Sequence, residues 1–191
     1  RRGSTGIVLL DPTGDTPKLK YVFDVSDTGG RENSRRPFLW EMRDYHEQPI
    51  LEMLQDKFGV YSDNLADGFY NIANVLAKEY YDTYKSDIAY LVEDSFLEEL
   101  DELNILMAFE NAATVSIAYT LMQRCGLDTE NYFEHEDFLP IFDFNTSAAV
   151  NLLGTAVSEQ SEQVFRQISL TIAKTERERS NEHEQLNLQQ E

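Results

Sequence analysis

The sequence predicts an α+β fold that is predominantly helical, with an N-terminal β-hairpin followed by a bundle of about five helices. Branched and aromatic residues first cluster in short runs near the N-terminus, which is typical of strands. From about His46 onward the apolar residues instead recur with helical spacing. The 191 residues are 41% hydrophobic and 12% aromatic, which is enough to build a substantial core.

The hairpin is predicted from two apolar runs separated by turn residues. Residues 6–10 read GIVLL and are followed by the turn-forming residues DPTG. Residues 19–25, LKYVFDV, are rich in branched and aromatic side chains and form the strongest strand pattern in the chain. We therefore expect the two runs to pair.

The helices are predicted from apolar stripes bounded by capping residues. The residues around Phe109, Ala113, Ile117 and Leu121 form the most apolar stripe, so this helix is expected to be the central one. Four predicted helices run from about His46 to Gly59, from Asp63 or Asn64 through Tyr80, from Ile105 to Gly126, and from Thr146 onward. A further helix is predicted to start at a capping box formed by residues 95–98. Gly154 is a candidate break in the last helix.

Three segments follow from these patterns. Residues 1–36 hold the hairpin and a polar loop, residues 37–173 hold the helices, and residues 174–191 are polar and predicted to be a linker. Because the chain opens on arginine without a signal-peptide pattern, we expect it to be a segment of a longer protein.

Charge is divided unequally between these segments. The net charge is −19, of which residues 1–36 contribute +2 and residues 37–191 contribute −21. A body this acidic repels phosphate, because nucleic-acid binding depends on lysine and arginine. Any DNA contact is therefore expected in the N-terminal strip.

No catalytic motif emerges from the residue pattern. The histidines His46, His135 and His183 stand alone, and zinc sites usually need a close pair of ligands. Cys125 is the single cysteine, which excludes an internal disulfide and fits a reducing, cytoplasmic location. The apolar runs are shorter than the ~18 residues that a membrane span needs. The sequence thus predicts no enzyme, no metal, no cofactor and no membrane partner.

Several stretches taken together resemble ArdC-like antirestriction proteins and their LtrC-like relatives. The N-terminal match consists of RGSTGI at residues 2–7 and YVFDVSDT at residues 21–28. It resembles the end of the family's single-stranded-DNA-binding domain. Further matches resemble the version found in large helicase- and methylase-containing proteins of Firmicute conjugative elements, and they lie at residues 95–104, 115–119, 124–128, 142–146, 153–158 and 166–168.

The resemblance implies a second domain related to zincin peptidases. In that family one helix carries His-Glu-x-x-His and a later helix supplies a glutamate ligand. Here the helix from Asn64 to Tyr84 has no histidine, and the glutamate position falls at or beside Val115. The resemblance therefore implies a degenerate zincin-like domain without a metal site.

Three functions are left open by these observations. The first is a non-catalytic scaffold in a large DNA-processing protein, adjoining a single-stranded-DNA-binding domain and helicase- or methylase-type domains. The second is an acidic DNA mimic that docks a basic enzyme, and the third is a residual zincin-type metallopeptidase. For the first, the candidate DNA contacts are Arg1, Arg2, Lys18 and Lys20; ordinary solubilising charge on an exposed hairpin is the alternative reading of these residues.

Overall fold

The computed structural model describes residues 5–11, 18–23, 29 and 39–188. The chain divides into two compact units, Arg1–Leu39 and Trp40–Glu191. Helices account for 71% of the chain, and a two-stranded antiparallel hairpin lies near its N-terminus. The predicted α+β, predominantly helical fold is therefore confirmed. The predicted boundary between residues 36 and 37 lies outside the described residues.

The first unit contains the predicted hairpin. Strand β1, Ile7–Asp11, pairs antiparallel with strand β2, Lys18–Val22. Ile7 lies opposite Val22 at one end of the pair, and Asp11 lies opposite Lys18 at the other. The residues predicted to form the connecting turn, 12–14, are outside the described part of the chain.

The second unit is a helical bundle. It begins at Trp40, and a short 3-10 helix, Asp44–His46, leads directly into the first α-helix. A second 3-10 segment, His135–Asp143, connects the last two helices. The α-helices of the described residues are α1 Glu47–Phe58, α2 Leu65–Leu91, α3 Glu102–Cys125 and α4 Ser147–Leu188.

Local sequence signals set most of these helix ends. The Asn64 side chain, one of the two N-caps that the sequence predicted, accepts a hydrogen bond from the Asp67 amide at 2.9 Å and caps the start of α2. Gly59 and Gly126 adopt left-handed backbone conformations, with φ of 68° and 74°, and end α1 and α3. The stop signals at these two glycines are confirmed.

Helix α3 forms the centre of the bundle. It packs against α2, α4 and the second 3-10 segment. Its predicted inner stripe, Phe109, Ala113, Ile117 and Leu121, is fully buried. Small side chains on the same helix leave room for the neighbouring helices to approach closely.

By length and composition α3 is also apolar enough to cross a membrane, with a mean hydropathy of 1.3 over its most apolar stretch. More than half of that stretch, 56%, is buried inside the bundle. Core helices of soluble proteins meet the same criterion, so the apolarity of α3 is accounted for by its central position.

Two details of the helix predictions are wrong. Residues 95–98 start no helix: the buried Ser95 hydroxyl donates to the Val92 carbonyl and accepts from the Leu97 amide, closing a turn after α2. Helix α3 begins later, where the Asp101 side chain accepts from the Asn104 amide. Gly154 does not break α4, because glycine only weakens a helix that tertiary packing supports.

The C-terminal residues are helical over a longer range than their polarity alone predicts. Helix α4 continues through Lys174 to Leu188, so the predicted linker 174–191 begins inside it. Ile168 and Ile172 are buried against the bundle within the two turns before this point. The packed part of α4 therefore supports the polar turns that follow it.

Two glycine substitutions are expected to have opposite effects on stability. Gly126→Ala should lower the free energy of unfolding by about 1 kcal/mol, because an alanine is strained at positive φ. Gly154→Ala should raise it by about 0.5–1 kcal/mol, because a Cβ there meets no atom within 4 Å and alanine favours the helix. Urea unfolding followed by circular dichroism measures both changes, and equal effects would contradict the backbone assignments.

Candidate functional site

The predicted DNA contacts are divided between described and undescribed residues. Lys18 and Lys20 lie on β2, and both are exposed. Because side chains alternate along a strand, these two lysines share one face of the hairpin. Arg1 and Arg2 lie outside the described residues, so the structure does not show whether they join that face.

The hairpin also exposes much apolar surface. On the face opposite the lysines, Leu19 is 62% exposed and Tyr21 is 55% exposed, with Val8 beside Tyr21 at 52%. A two-stranded hairpin has too little contact area to be stable in water by itself. An apolar face of this kind is typical of a surface that another element covers.

In the second unit, a polar cluster joins the segment that precedes α1 to a late turn of α4. We call it the Tyr45–Glu176 cluster; its members are Arg43, Tyr45, His46, Glu176 and Arg179. The Tyr45 hydroxyl donates to Glu176 Oε1 at 2.6 Å, although the two residues are 131 positions apart. Arg43 Nη1 donates to the Tyr45 hydroxyl at 2.9 Å. The segment entering the bundle is thereby held against α4.

Stacking reinforces these hydrogen bonds. The Arg179 guanidinium carbon lies 4.0 Å from the centroid of the Tyr45 ring, which permits a cation–π contact. The Tyr45 and His46 rings meet edge to face at 4.4 Å. The hydrogen bond from Tyr45 is the main reason that the pKa of Glu176 is lowered, and the positive charge of Arg43 adds to it. Glu176 is therefore ionised at neutral pH.

His46 is the buried member of the cluster. Its side chain is 1% exposed, and its Nδ1 accepts a hydrogen bond from the Arg43 amide at 3.2 Å. This bond places the proton of the neutral ring on Nε2. Nε2 lies 3.2 Å from Glu176 Oε1 but is not aligned for a hydrogen bond, so the contact is electrostatic. Burial nonetheless lowers the pKa of His46, and Arg43 and Arg179 oppose its protonation further.

The cluster predicts a loss of stability on acidification. His46 binds a proton less readily in the folded chain than in the unfolded one, so stability is fully present above about pH 6.5, the ordinary histidine pKa, and falls as the pH drops below it. We expect urea midpoints to decrease between pH 7.5 and pH 5 in the natural chain, and to decrease less in His46→Gln. His135→Gln, which alters an exposed histidine, is the control. An equal pH dependence in all three proteins would contradict this role of His46.

The positions relevant to the zincin resemblance lie in the helical core. Val115 on α3 is 3% exposed and packs within the bundle. Within residues 39–188 and the described hairpin, no three His, Cys, Asp or Glu side chains converge as metal ligands. Cys125 is also buried, and desolvation raises the pKa of its thiol to about 12. At neutral pH this thiol is protonated and poorly nucleophilic.

The acidic charge is concentrated in one part of the sequence. Residues 86–165 contain sixteen carboxylates and a single cationic side chain, Arg124, giving a net charge of −15. Arg124 stacks over the Trp40 ring at 3.7 Å and donates a hydrogen bond to the Trp40 carbonyl, so its side chain helps to hold Trp40 against the bundle. The densest group of exposed acidic side chains follows the end of α2 and consists of Glu93, Asp94, Glu98, Glu99, Asp101 and Glu102.

A cleft lined by tyrosines lies beside this acidic stretch, between α2 and α4. Its volume is about 360 Å³, and its α2 wall includes Tyr80, Tyr84, Asp87 and Tyr90. Helix α2 departs from helical geometry at Tyr84, where φ is −112° and ψ is 19°. Because Tyr80, Tyr84 and Asp87 are spaced four and three positions apart, they share one face of α2 and line the same wall of the cleft.

Sequence reasoning missed both the Tyr45–Glu176 cluster and the cleft. His46 was interpreted as isolated because its partner is far away in the sequence, and Glu176 was assigned to the linker. No local sequence pattern indicates the cluster, although Glu176 and Arg179 are three positions apart and share a helix face. No protein-family model, curated protein or solved structure matches this chain.

Proposed function

We propose that this chain is a non-catalytic positioning module of a large DNA-processing protein of a conjugative element. In this proposal the hairpin completes an adjoining single-stranded-DNA-binding domain. The helical unit holds that domain at a fixed place relative to helicase- or methylase-type domains of the same protein. The observation that carries the proposal is the Tyr45–Glu176 cluster, which ties the entering segment to the long last helix.

The length of α4 supports the positioning role. At about 1.5 Å per residue, its 42 residues extend roughly 60 Å. The bundle buries the first part of this helix, and the cluster holds Glu176 on a later turn. Beyond Glu176 about three further turns extend from the cluster to Leu188. Because the cluster fastens the entering segment to α4, the direction of that segment is fixed relative to the helix.

The hairpin supports the DNA-processing part of the proposal. Lys18 and Lys20 share one face with exposed apolar residues of β1, and the opposite face exposes Leu19 and Tyr21. The apolar side chains of both faces provide a surface for the core of an adjoining domain, while the two lysines provide charges for a phosphate backbone. The resemblance to the end of an ArdC-like DNA-binding domain rests on the same segment.

Distance measurements between spin labels test the positioning role. Labels are attached to cysteines introduced at the exposed positions Glu41 and Glu182 in the intact chain. We expect one narrow distance distribution, which broadens when Tyr45→Phe and Glu176→Gln are combined. Glu178→Gln and Tyr61→Phe together form the matched control, since both positions lie outside the cluster. A distribution that stays narrow without the cluster would overturn the positioning role.

A second candidate function is favoured by the charge distribution. The net charge of −15 over residues 86–165 is carried almost entirely by exposed carboxylates. Such a surface attracts basic proteins at long range and repels nucleic acid. We propose, as the alternative, that the acidic surface docks a basic protein, as a DNA-mimicking antirestriction module would. Salt-sensitive binding to a basic restriction enzyme tests this alternative, and its absence at low salt would exclude it.

A further inference from the structure

The cleft between α2 and α4 combines three features that are rarely found together on a solvated helix surface. It is concave, it is lined by tyrosine rings, and it carries negative charge. We propose that this cleft binds an arginine side chain of a basic protein partner, with the guanidinium stacked on the tyrosine rings and paired with Asp87. The inference rests on the second candidate function, the docking of a basic protein.

The tyrosines provide accessible ring faces. The Tyr80 and Tyr84 ring centroids lie 4.5 Å apart, and their planes are inclined by 37°. Tyr80 is buried at 6% exposure, whereas Tyr84 is 41% exposed and Tyr90 is 69% exposed. The cleft therefore has one buried ring, Tyr80, and two rings that are open to solvent, Tyr84 and Tyr90. Exposed tyrosine is characteristic of binding surfaces because it buries a large area with few rotatable bonds.

The charge of the cleft selects a cation. Asp87 is exposed at its rim, and Glu159 and Asp87 both act electrostatically on the Tyr80 hydroxyl. Among the residues that the structure describes, no lysine or arginine lines this cleft. Lys85, on the same helix, forms a salt bridge with Glu102 and is directed away to that partner. The carboxylate of Asp87 therefore disfavours an anionic ligand here, whereas a cation gains both charge pairing and ring contacts.

Guanidinium fits these surroundings better than ammonium does. It is planar and less strongly hydrated, so it stacks on rings while pairing with a carboxylate. The chain itself stacks guanidinium groups on aromatic rings, with Arg124 over Trp40 at 3.7 Å and Arg179 over Tyr45 at 4.0 Å. The volume of about 360 Å³ is at the lower end of the ~300–1,000 Å³ typical of ligand pockets. The cleft is thus sized for one long side chain.

The surrounding surface explains why the arginine should belong to a basic segment. The carboxylates from Glu93 to Glu102 follow α2 directly after the cleft-lining residues Tyr90 and Leu91. Further basic side chains of the same partner would meet these carboxylates while one arginine occupies the cleft. Long-range attraction between these carboxylates and the partner's basic side chains would then raise the association rate, and the cleft would provide the specific contact.

Binding of a fluorescein-labelled hexa-arginine peptide to the intact chain, measured by fluorescence anisotropy, tests the proposal. The cleft variants are Asp87→Asn and Tyr90→Leu, both at exposed positions. Their matched controls are Glu130→Gln, which removes one exposed carboxylate elsewhere in the acidic stretch, and Tyr61→Leu, which removes a tyrosine that is 72% exposed. Unchanged thermal midpoints verify that all four variants fold.

We expect each cleft variant to weaken binding about fivefold, through the lost ring contact in Tyr90→Leu and the lost charge pairing in Asp87→Asn, and each control to weaken it less than twofold. Hexa-lysine should bind less tightly than hexa-arginine to the natural chain, and the difference should diminish in Tyr90→Leu. Equal losses in the cleft variants and controls would overturn the cleft while leaving the acidic docking function intact. Failure of the natural chain to bind either peptide at low salt would overturn both.

Discussion

Replacing Phe109 with alanine is expected to lower the free energy of unfolding of the helical unit by about 3–5 kcal/mol. Phe109 is fully buried at the centre of α3. Its ring lies 5.9 Å from Tyr80, 5.8 Å from Tyr81 and 6.2 Å from Phe144, measured between centroids. The substitution therefore removes one ring from contacts that join α2, α3 and the chain leading into α4, and it leaves a cavity that these elements cannot fill.

Urea unfolding followed by the helical circular dichroism signal measures this loss. Met107→Ala is the control on the same helix, because Met107 is 52% exposed and should change stability by less than about 0.5 kcal/mol. A loss below about 1 kcal/mol for Phe109→Ala would show that α3 is not the centre of the bundle.

The second large effect is expected at Trp40, the first residue of the helical unit. Trp40 is 8% exposed, it lies 6.3 Å from the Phe165 ring of α4, and the Arg124 guanidinium covers it. Trp40→Ala should lower the free energy of unfolding by about 3 kcal/mol, because it removes a large buried ring together with its cation–π contact to Arg124.

The neighbouring residue provides a matched control for Trp40. Leu39 is 64% exposed, so Leu39→Ala should leave stability within about 0.5 kcal/mol of the natural value. Because Trp40→Ala removes the single tryptophan, circular dichroism rather than fluorescence is the appropriate signal. Similar small effects for both variants would contradict the anchoring of the entering segment.

Elements with local signals were predicted well. The N-cap at Asn64, the stops at Gly59 and Gly126 and the apolar stripe of α3 depend on residues three or four positions apart, which a single sequence displays directly. Residues 95–98 have the sequence pattern of a helix start but form a turn instead. The hydroxyl of Ser95 is buried by tertiary packing there, and the sequence alone does not reveal that environment.

The candidate sites were harder to predict because they depend on long-range contacts. Tyr45 and Glu176 are brought together only by the packing of α4 along the bundle. Each of these residues is unremarkable in its own sequence neighbourhood. The tyrosines of the cleft were similarly assigned to the inner stripe of a helix or to no role. Residues of α4 complete the cleft, and the packing of α4 against α2 is a long-range contact that no local pattern shows.

Salt-titrated binding of labelled single-stranded DNA tests the central claim most directly. The measurement uses this chain extended by the N-terminal domain that the proposal requires, with Lys18 and Lys20 both changed to glutamine. The control changes Lys57 and Lys78, two exposed lysines of the helical unit, in the same way. With about 0.7 counterions released per single-stranded phosphate contact, we expect the salt slope to fall by about 1.4 in the hairpin variant and to stay unchanged in the control. Equal slopes in both variants, or no binding by the natural extended chain, would contradict the proposed role.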